Sequence, residues 1–329
     1  MQIARRCPGG NGNPVVRRIC VRAPASIANL GAGFDVLAMA IEGFYDEVEV
    51  NISEGNGHVE VESTGFNIPS RGNLACIIAE EFLNRYKIDG IDVKIVLHKG
   101  IPPARGLGSS GASCVATLYA LSRIFSINLS LSEFLELAGL CESFVAGSQH
   151  YDNVSASTLG GVVIVDRVRL GAYKIVPPVD IHVAVLMPSE KFVSKYPRKT
   201  AFARDILPKQ IDLRTLVDQN SAVAKLVYAL MSGNLEVLGE AVSTDFVAEP
   251  RRSTLIPLYW ELKRAALENG ALGFNIAGAG PSVFALCRSI EDATRVSEAL
   301  RGIAERNGIE TEAIVTQIAR EGVRIVECS

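Results

Sequence analysis

The run Ile101-Pro102-Pro103-Ala104-Arg105-Gly106-Leu107-Gly108-Ser109-Ser110-Gly111-Ala112-Ser113 holds three glycines and three serines, and it leads into an apolar segment from Cys114 to Phe125. Glycine lets a backbone turn tightly and come close to a ligand. A helix that opens straight after such a loop presents unpaired N–H groups and the positive end of its dipole. Together these make an anion site with phosphate as the usual guest; a glycine-rich turn capped by serine is the alternative. A Walker A loop needs Gly-Lys-Ser/Thr at its end, and no lysine stands there. Gly106, Gly108 and Gly111 do match the dinucleotide spacing G-x-G-x-x-G. However, Lys99 to Arg105, with two prolines, separates them from the strand predicted at Val93–His98. The acidic residue expected about 20 positions further on is also missing from Arg123-Ile124-Phe125-Ser126-Ile127-Asn128. A nicotinamide cofactor is therefore set aside.

A chain of 329 residues suits one large domain or two ordinary ones. Hydrophobic residues at 48% and charged residues at 21% match a globular enzyme with a sizeable core. The formal net charge of -3 argues against a nucleic-acid binder, and no apolar run is long enough to span a bilayer. The seven cysteines are scattered without a C-x-x-C pair, which argues against zinc. Their odd number and the lack of a secretory signal predict a reducing, cytoplasmic setting, with several thiols acting as small core hydrophobes.

Residues 1–18 are expected to form a disordered extension. A first strand is predicted up to Arg22, and a second unusual loop over Ala23–Asp35, where Ser26, Asn29 and Asp35 can surround a polar ligand or bond their own backbone. Asp46–Ile52 and His58–Glu62 alternate as half-buried strands, expected to pair across Gly55-Asn56-Gly57. Asn73–Tyr86 reads as an amphipathic helix with Asn73 at its start. A third polar constellation, Glu142 to Asn153, precedes an apolar strand that ends near Asp166, where a domain boundary is placed. Pro188–Arg214 reads as irregular and charged; helices and strands alternate from there to Val326. The pattern predicts an α+β architecture of sheet and helix layers.

Three motifs now stand in one order: Pro24-Ala25-Ser26-Ile27-Ala28-Asn29-Leu30-Gly31 with Gly33, Pro102 to Ala112, and Gly278-Ala279-Gly280-Pro281-Ser282. Together they resemble the three motifs of the GHMP kinases. Within that superfamily, Phe34-Asp35 and His150-Tyr151-Asp152-Asn153-Val154 followed by Gly160-Gly161 are most similar to the homoserine kinase family. Ala32 stands where proline is frequent and Gly111 where alanine is frequent. The resemblance implies a two-domain fold. Residues 19–166 would form an N-terminal ATP-binding domain like domain 2 of ribosomal protein S5, with a left-handed crossover. Residues 167–329 would form a ferredoxin-like C-terminal domain. It also implies transfer of a phosphoryl group from ATP to the hydroxyl of L-homoserine, in threonine biosynthesis, with Mg2+ held by Ser110 and Glu142. Pro102, Pro103, Ala104, Arg105, Gly106, Leu107, Gly108, Ser109, Ser110, Gly111 and Ala112 would surround the phosphates, with Asn73 either on the adenine side or acting as a helix cap. Asn29, Asp35, His150, Arg204 and Arg252 would hold the amino acid, with Arg198 and Arg251 as rivals for its carboxylate. Asn153 would orient the hydroxyl without a catalytic base. A homodimer is implied by analogy.

Overall fold

The computed structural model describes residues 17–66, 73–146, 149–193 and 199–328, without the side chains of 142, 145, 146, 199 and 200. Its strands are β1 (Arg17–Ala28), β2 (Leu37–Glu54), β3 (Val59–Gly65), β4 (Ile91–Lys99), β5 (Val162–Asp166), β6 (Gly171–Ile175), β7 (His182–Pro188), β8 (Gly273–Ile276), β9 (Val283–Cys287), β10 (Thr311–Gln317) and β11 (Arg324–Val326). Four helices belong to the first half: α1 (Leu74–Tyr86), α2 (Ser109–Ile124), α3 (Leu131–Ala146) and α4 (Asp152–Leu159). The second half carries α5 (Glu190–Val193), α6 (Lys199–Asp205), α7 (Leu213–Ser232), α8 (Leu235–Val242), α9 (Glu249–Arg252), α10 (Tyr259–Glu268) and α11 (Ile290–Arg306).

The first sheet runs β11-β1-β2-β4-β3, with β5 and β6 continuing from β2. Its central helix is α2. Small residues (Ala112, Ser113, Ala116, Ala120) let that helix lie close to the sheet, while Val115, Leu118 and Leu121 fill the space between. Each such buried side chain contributes about 1.5–3 kcal/mol. The second sheet runs β10-β7-β9-β8 and is antiparallel throughout. Its β-α-β-β-α-β order is that of a ferredoxin-like unit.

Several expectations need correction. β3 does not pair with β2; it lies parallel to β4 across α1. Asp92 of β4 explains this, because its Oδ1 accepts hydrogen bonds from Asn56 N and His58 N, both at 2.9 Å. The turn is thereby held against β4 and the chain crosses to the far edge of the sheet. The predicted loop at Ala23–Asp35 begins only at Asn29: Pro24 to Ala28 is strand, with a register shift at Pro24/Ala25 that accommodates the proline. The segment taken as irregular contains α5 and α6. The sheets do not divide at Asp166 either, since β6 pairs with β5 and β11 returns to β1. Finally, four cysteines are paired rather than free: Cys20 with Cys328, and Cys114 with Cys141. Partners 308 and 27 residues apart carry no spacing signal, and only the return of β11 and the packing of α2 on α3 bring them together. Cys76 and Cys287 are free among the described residues. The proposed extension, residues 1–18, lies outside the described residues except for Arg17 and Arg18, which open β1.

Candidate active site

The glycine-rich loop connects β4 to α2. Gly106 and Gly108 have φ of +78° and +66°. A Cβ on Gly106 would stand 2.2 Å from the Ala277 carbonyl oxygen, and one on Gly108 2.1 Å from Ser26 Oγ and 3.0 Å from Asn153 Oδ1. Backbone and buried side chains leave no room there, so glycine is required at both positions. Gly108 is itself the N-cap of α2, without a side-chain cap. Ser109 Oγ instead donates to Ile101 O at 2.9 Å, closing the loop on itself. The first helical bond runs from Ala112 N to Gly108 O at 3.0 Å. The amides of Ser109, Ser110 and Gly111 thus precede it and stay available at the positive end of the helix. That arrangement fits a phosphate. Arg105 differs from its neighbours: it is buried and paired with Glu312 of β10 at 3.4 Å.

The three glycine motifs meet here. Ser26 N donates to Leu107 O at 3.1 Å, and Gly278 N donates to Ala28 O at 3.2 Å. Asn29 Nδ2 donates to Gly278 O at 2.9 Å. A Cβ on Gly278 would lie 3.2 Å from Gly106 O. Ser26 Oγ also bonds Asn153 Oδ1 at 2.9 Å, which fixes the Asn153 amide beside Gly108.

Beyond Asn153 opens a charged cavity of about 50 Å³, lined by Asn29, Asp35, His150, Asp152, Asn153, Arg204 and Arg252 among others. Asp35 sits at its centre with φ +57°, a left-handed conformation that costs a non-glycine residue and often marks a functional site. Arg204 Nη2 donates to Asp35 Oδ2 at 2.6 Å, while His150 Nδ1 and Arg167 Nη1 stand 3.4 and 3.3 Å from its carboxylate oxygens. Burial alone would raise the Asp35 pKa, but hydrogen bonds from His150 and Arg204 outweigh it and hold the carboxyl well below its usual range. Arg252 is buried, donating to Ala203 O and Gly278 O, both at 3.0 Å. Burial pushes its guanidinium down to about 10. Both arginines stack on Phe34, at 5.5 Å for Arg204 and 5.1 Å for Arg252. Asp152 is buried too. Burial, and then the neighbouring Asp35 charge, raise its pKa, so it holds its proton more readily than a free aspartate.

The structure thus brings Asn29, Asp35, His150, Asn153, Arg204 and Arg252 together around one cavity, with Gly108 against Asn153. It does not bring Asn73 to them. Asn73 caps α1 by accepting from Ala75 N at 3.0 Å, and its Nδ2 donates to Ser63 Oγ of β3 at 3.2 Å. Arg251 is exposed, unlike Arg252, and Arg198 lies outside the described residues. Ser110 is half-buried in the first turn of α2. Glu142 belongs to α3, with its side chain outside the described residues. Among the described residues no group of three or more His, Cys, Asp or Glu side chains is placed to hold a metal. A Mg2+ ion needs no such cage, because it takes one or two protein oxygens and completes its shell with phosphates and water. The Ser110 hydroxyl beside the open amides is one oxygen of that kind.

Sequence reasoning missed several contributors. Arg167, in the β5–β6 turn, left no signal. Phe34 served only as a motif mark, although it is the platform for both arginines. Gln219 of α7 holds the first loop by donating to Ala32 O at 2.8 Å. Asp46 and Lys99, buried beneath the glycine loop, also went unnoticed; a lysine ending an apolar alternating strand was the available hint.

Comparison with known proteins decides the family. Residues 73–161 match the model of the GHMP kinases N terminal domain, and residues 226–305 that of the GHMP kinases C terminal domain. The homoserine kinase of Aeropyrum pernix is 37% identical over 289 residues, covering 86% of this chain and 91% of that protein. This chain belongs to the GHMP kinases, in their homoserine kinase branch. A second relative, the homoserine kinase of Methanopyrus kandleri, is 38% identical over 87% of this chain and 92% of its own length. The crystal structure of homoserine kinase from Cytophaga hutchinsonii superposes with a TM-score of 0.83 at 33% identity, covering 94% of this chain and 97% of that one. The α+β architecture is therefore the two-domain GHMP kinase fold, with an S5-like N-terminal and a ferredoxin-like C-terminal part. No helix among the described residues is long and apolar enough to cross a membrane.

Proposed function

We propose that this GHMP kinase transfers the γ-phosphoryl group of ATP to the side-chain hydroxyl of L-homoserine, giving O-phospho-L-homoserine and ADP, a step of threonine biosynthesis. One observation carries the reading. Asn153 belongs at once to the charged cavity and to the wall of the glycine loop, where its Oδ1 lies 3.0 Å from the position of a Cβ on Gly108. The place for a phosphate and the place for a zwitterion share that residue.

In this reading the backbone from Gly106 to Gly111 holds the ATP phosphates. Ser110 and Glu142 hold Mg2+, which when bound neutralises phosphate charge. Asp35 receives the α-ammonium, with Asn29 beside it. Arg204 and Arg252 receive the carboxylate, for which guanidinium groups are well matched. His150, at the Asp35–Arg204 pair, keeps that pair in register. Asn153, fixed by Ser26, orients the hydroxyl. Its oxygen forms the new P–O bond as the bond to ADP breaks, and the hydroxyl proton leaves with the phosphate or solvent. Asp152 is buried and accepts from the Asn153 backbone N–H at 2.8 Å, a contact that anchors the residue orienting the hydroxyl. Alignment alone is worth about 7–11 kcal/mol in favourable cases, so a base is not required by the energetics.

The same reading includes a cytoplasmic setting, supported by the use of ATP. It also includes a homodimer, supported by the exposed apolar residues Leu213, Val217, Tyr228 and Met231 on one face of α7; a solution mass twice that of the chain would bear this out. The function is tested by an ADP-release assay across homoserine, mevalonate, shikimate, pantoate and galactose. Turnover of homoserine above the other four is expected. Turnover of one of those four without homoserine would overturn the substrate assignment, and Mg-ATP binding without any turnover would point to a sensor.

A further inference from the structure

Beneath the glycine loop lies a closed polar network in an otherwise apolar core. Asp46 of β2 is fully buried and Lys99, the last residue of β4, is 3% exposed. Their side chains are in direct contact. Lys99 Nζ also donates to the Ser109 carbonyl oxygen at 2.6 Å and to Ser113 Oγ at 2.7 Å, both in the first two turns of α2. Asp46 Oδ1 accepts from Gly100 N at 3.2 Å and Ile101 N at 3.1 Å, at the other end of the loop. Asp46 Oδ2 accepts from Ser113 Oγ at 2.6 Å. One ion pair therefore grips the residues that enter the loop and the helical turn that leaves it, and the Ser109–Ile101 bond completes the ring.

A buried charge pair is weak support for stability, because desolvation offsets its attraction. Burial pushes the Lys99 ammonium down, against the opposing pull of Asp46. A pair kept at that cost, with every described contact directed at one loop, calls for a role in geometry. We infer that Asp46 and Lys99 are positioning residues for phosphoryl transfer, holding the two ends of the glycine loop so that the amides of Ser109, Ser110 and Gly111 converge on the ATP phosphates. Neither touches the nucleotide. The pair takes the place of a loop lysine only in the sense of fixing the loop from behind. Ser113 is the third member, joining both charges to α2 without adding one.

This inference rests on the glycine loop being the phosphate site, so the experiment carries a control for that reading. Steady-state KM values for ATP and for homoserine are measured on the full chain and on Ser113→Ala, Asp46→Asn, Lys99→Met and Gly108→Val. Circular dichroism and thermal melting identify the variants that fold. Ser113→Ala removes no charge and is expected to fold, with KM for ATP raised about 3- to 10-fold and KM for homoserine within twofold of the wild type. Lys99→Met and Asp46→Asn, where folded, are expected to raise KM for ATP about 30-fold or more with the same selectivity. If Gly108→Val raises KM for ATP while every folded network variant leaves it unchanged, or raises both KM values equally, the pair is only structural and the inference falls. If Gly108→Val also leaves KM for ATP unchanged, the phosphate-site reading itself falls, and the inference with it. Should Lys99→Met and Asp46→Asn both fail to fold, Ser113→Ala alone decides.

Discussion

The two halves of the proposed active site are built from different materials. The phosphate side is backbone: glycines at positive φ, helix-terminal amides and approaches too close for any Cβ. The amino-acid side is side chain: Asp35, Arg204, Arg252 and His150 converge with Phe34 under the guanidinium groups. The difference follows from the ligands. A phosphate is polyanionic and nearly symmetric, so many equivalent N–H donors serve it well, and they belong to every residue type. A zwitterion carries opposite charges at fixed spacing, and only side chains can supply an acid and a base in that order. Shape therefore governs the first half and charge the second. Substitutions that add volume to the glycine loop are expected to damage ATP use, and substitutions that remove charge from the cavity to damage homoserine use.

The largest effect is expected at the charged one of the two side chains, Ser110 and Glu142, proposed on the phosphate side. Glu142→Ala should lower kcat by about 10²–10³-fold, the size associated with losing a transition-state charge contact. Asp152→Asn should lose much less turnover, and the reverse order would argue for base catalysis. Next, Gly108→Val should raise KM for ATP by about 10²-fold, since displacement of a positioned group by about 1 Å costs that much; homoserine use falls with it, because the added side chain also meets Asn153, and an unchanged KM for ATP would reduce the loop to a turn. Asp35→Asn should lower kcat/KM for homoserine by about 10-fold or more while sparing KM for ATP, because a buried charge loses its partner. Equal damage to both substrates would erase the distinction between the halves. The smallest effect is on stability. The Asp35 pKa lies below its ordinary 3.8 in the folded chain, so its pairing contributes stability above that pH and loses it as the pH falls further. Urea midpoints from pH 6 to pH 3 should fall more for the wild type than for Asp35→Asn, and identical acid dependence would show that the ion pair contributes nothing.

The same distinction explains what was legible in the sequence. Backbone-built sites leave glycines at fixed spacing, so Gly106, Gly108 and Gly278 were visible as motifs. Side-chain sites leave charges that look like any surface charge. Asp35 was visible only as a polar member of an unusual loop; its role, and Arg204 and Arg252 altogether, were reached through the family resemblance, and Arg167 was not reached at all. Long-range closure was the least legible level. The parallel β3–β4 pairing depends on Asp92 capturing a turn 34 and 36 residues away. The Cys20–Cys328 bond depends on a C-terminal strand returning to β1. The Asp46–Lys99 pair joins residues 53 apart, and each charge stands in phase with the buried apolar face of its strand, where it reads as the end of the apolar run.

The central claim is that Asp35 reads the ammonium of the acceptor while the phosphate half is indifferent to it. The direct measurement compares kcat/KM for L-homoserine and for 4-hydroxybutanoate, which is homoserine without its amino group, in the wild type and in Asp35→Asn. The account predicts a preference for homoserine of about 10²-fold or more in the wild type, shrinking by at least tenfold in the variant, with KM for ATP unchanged throughout. The same preference in both proteins would contradict it.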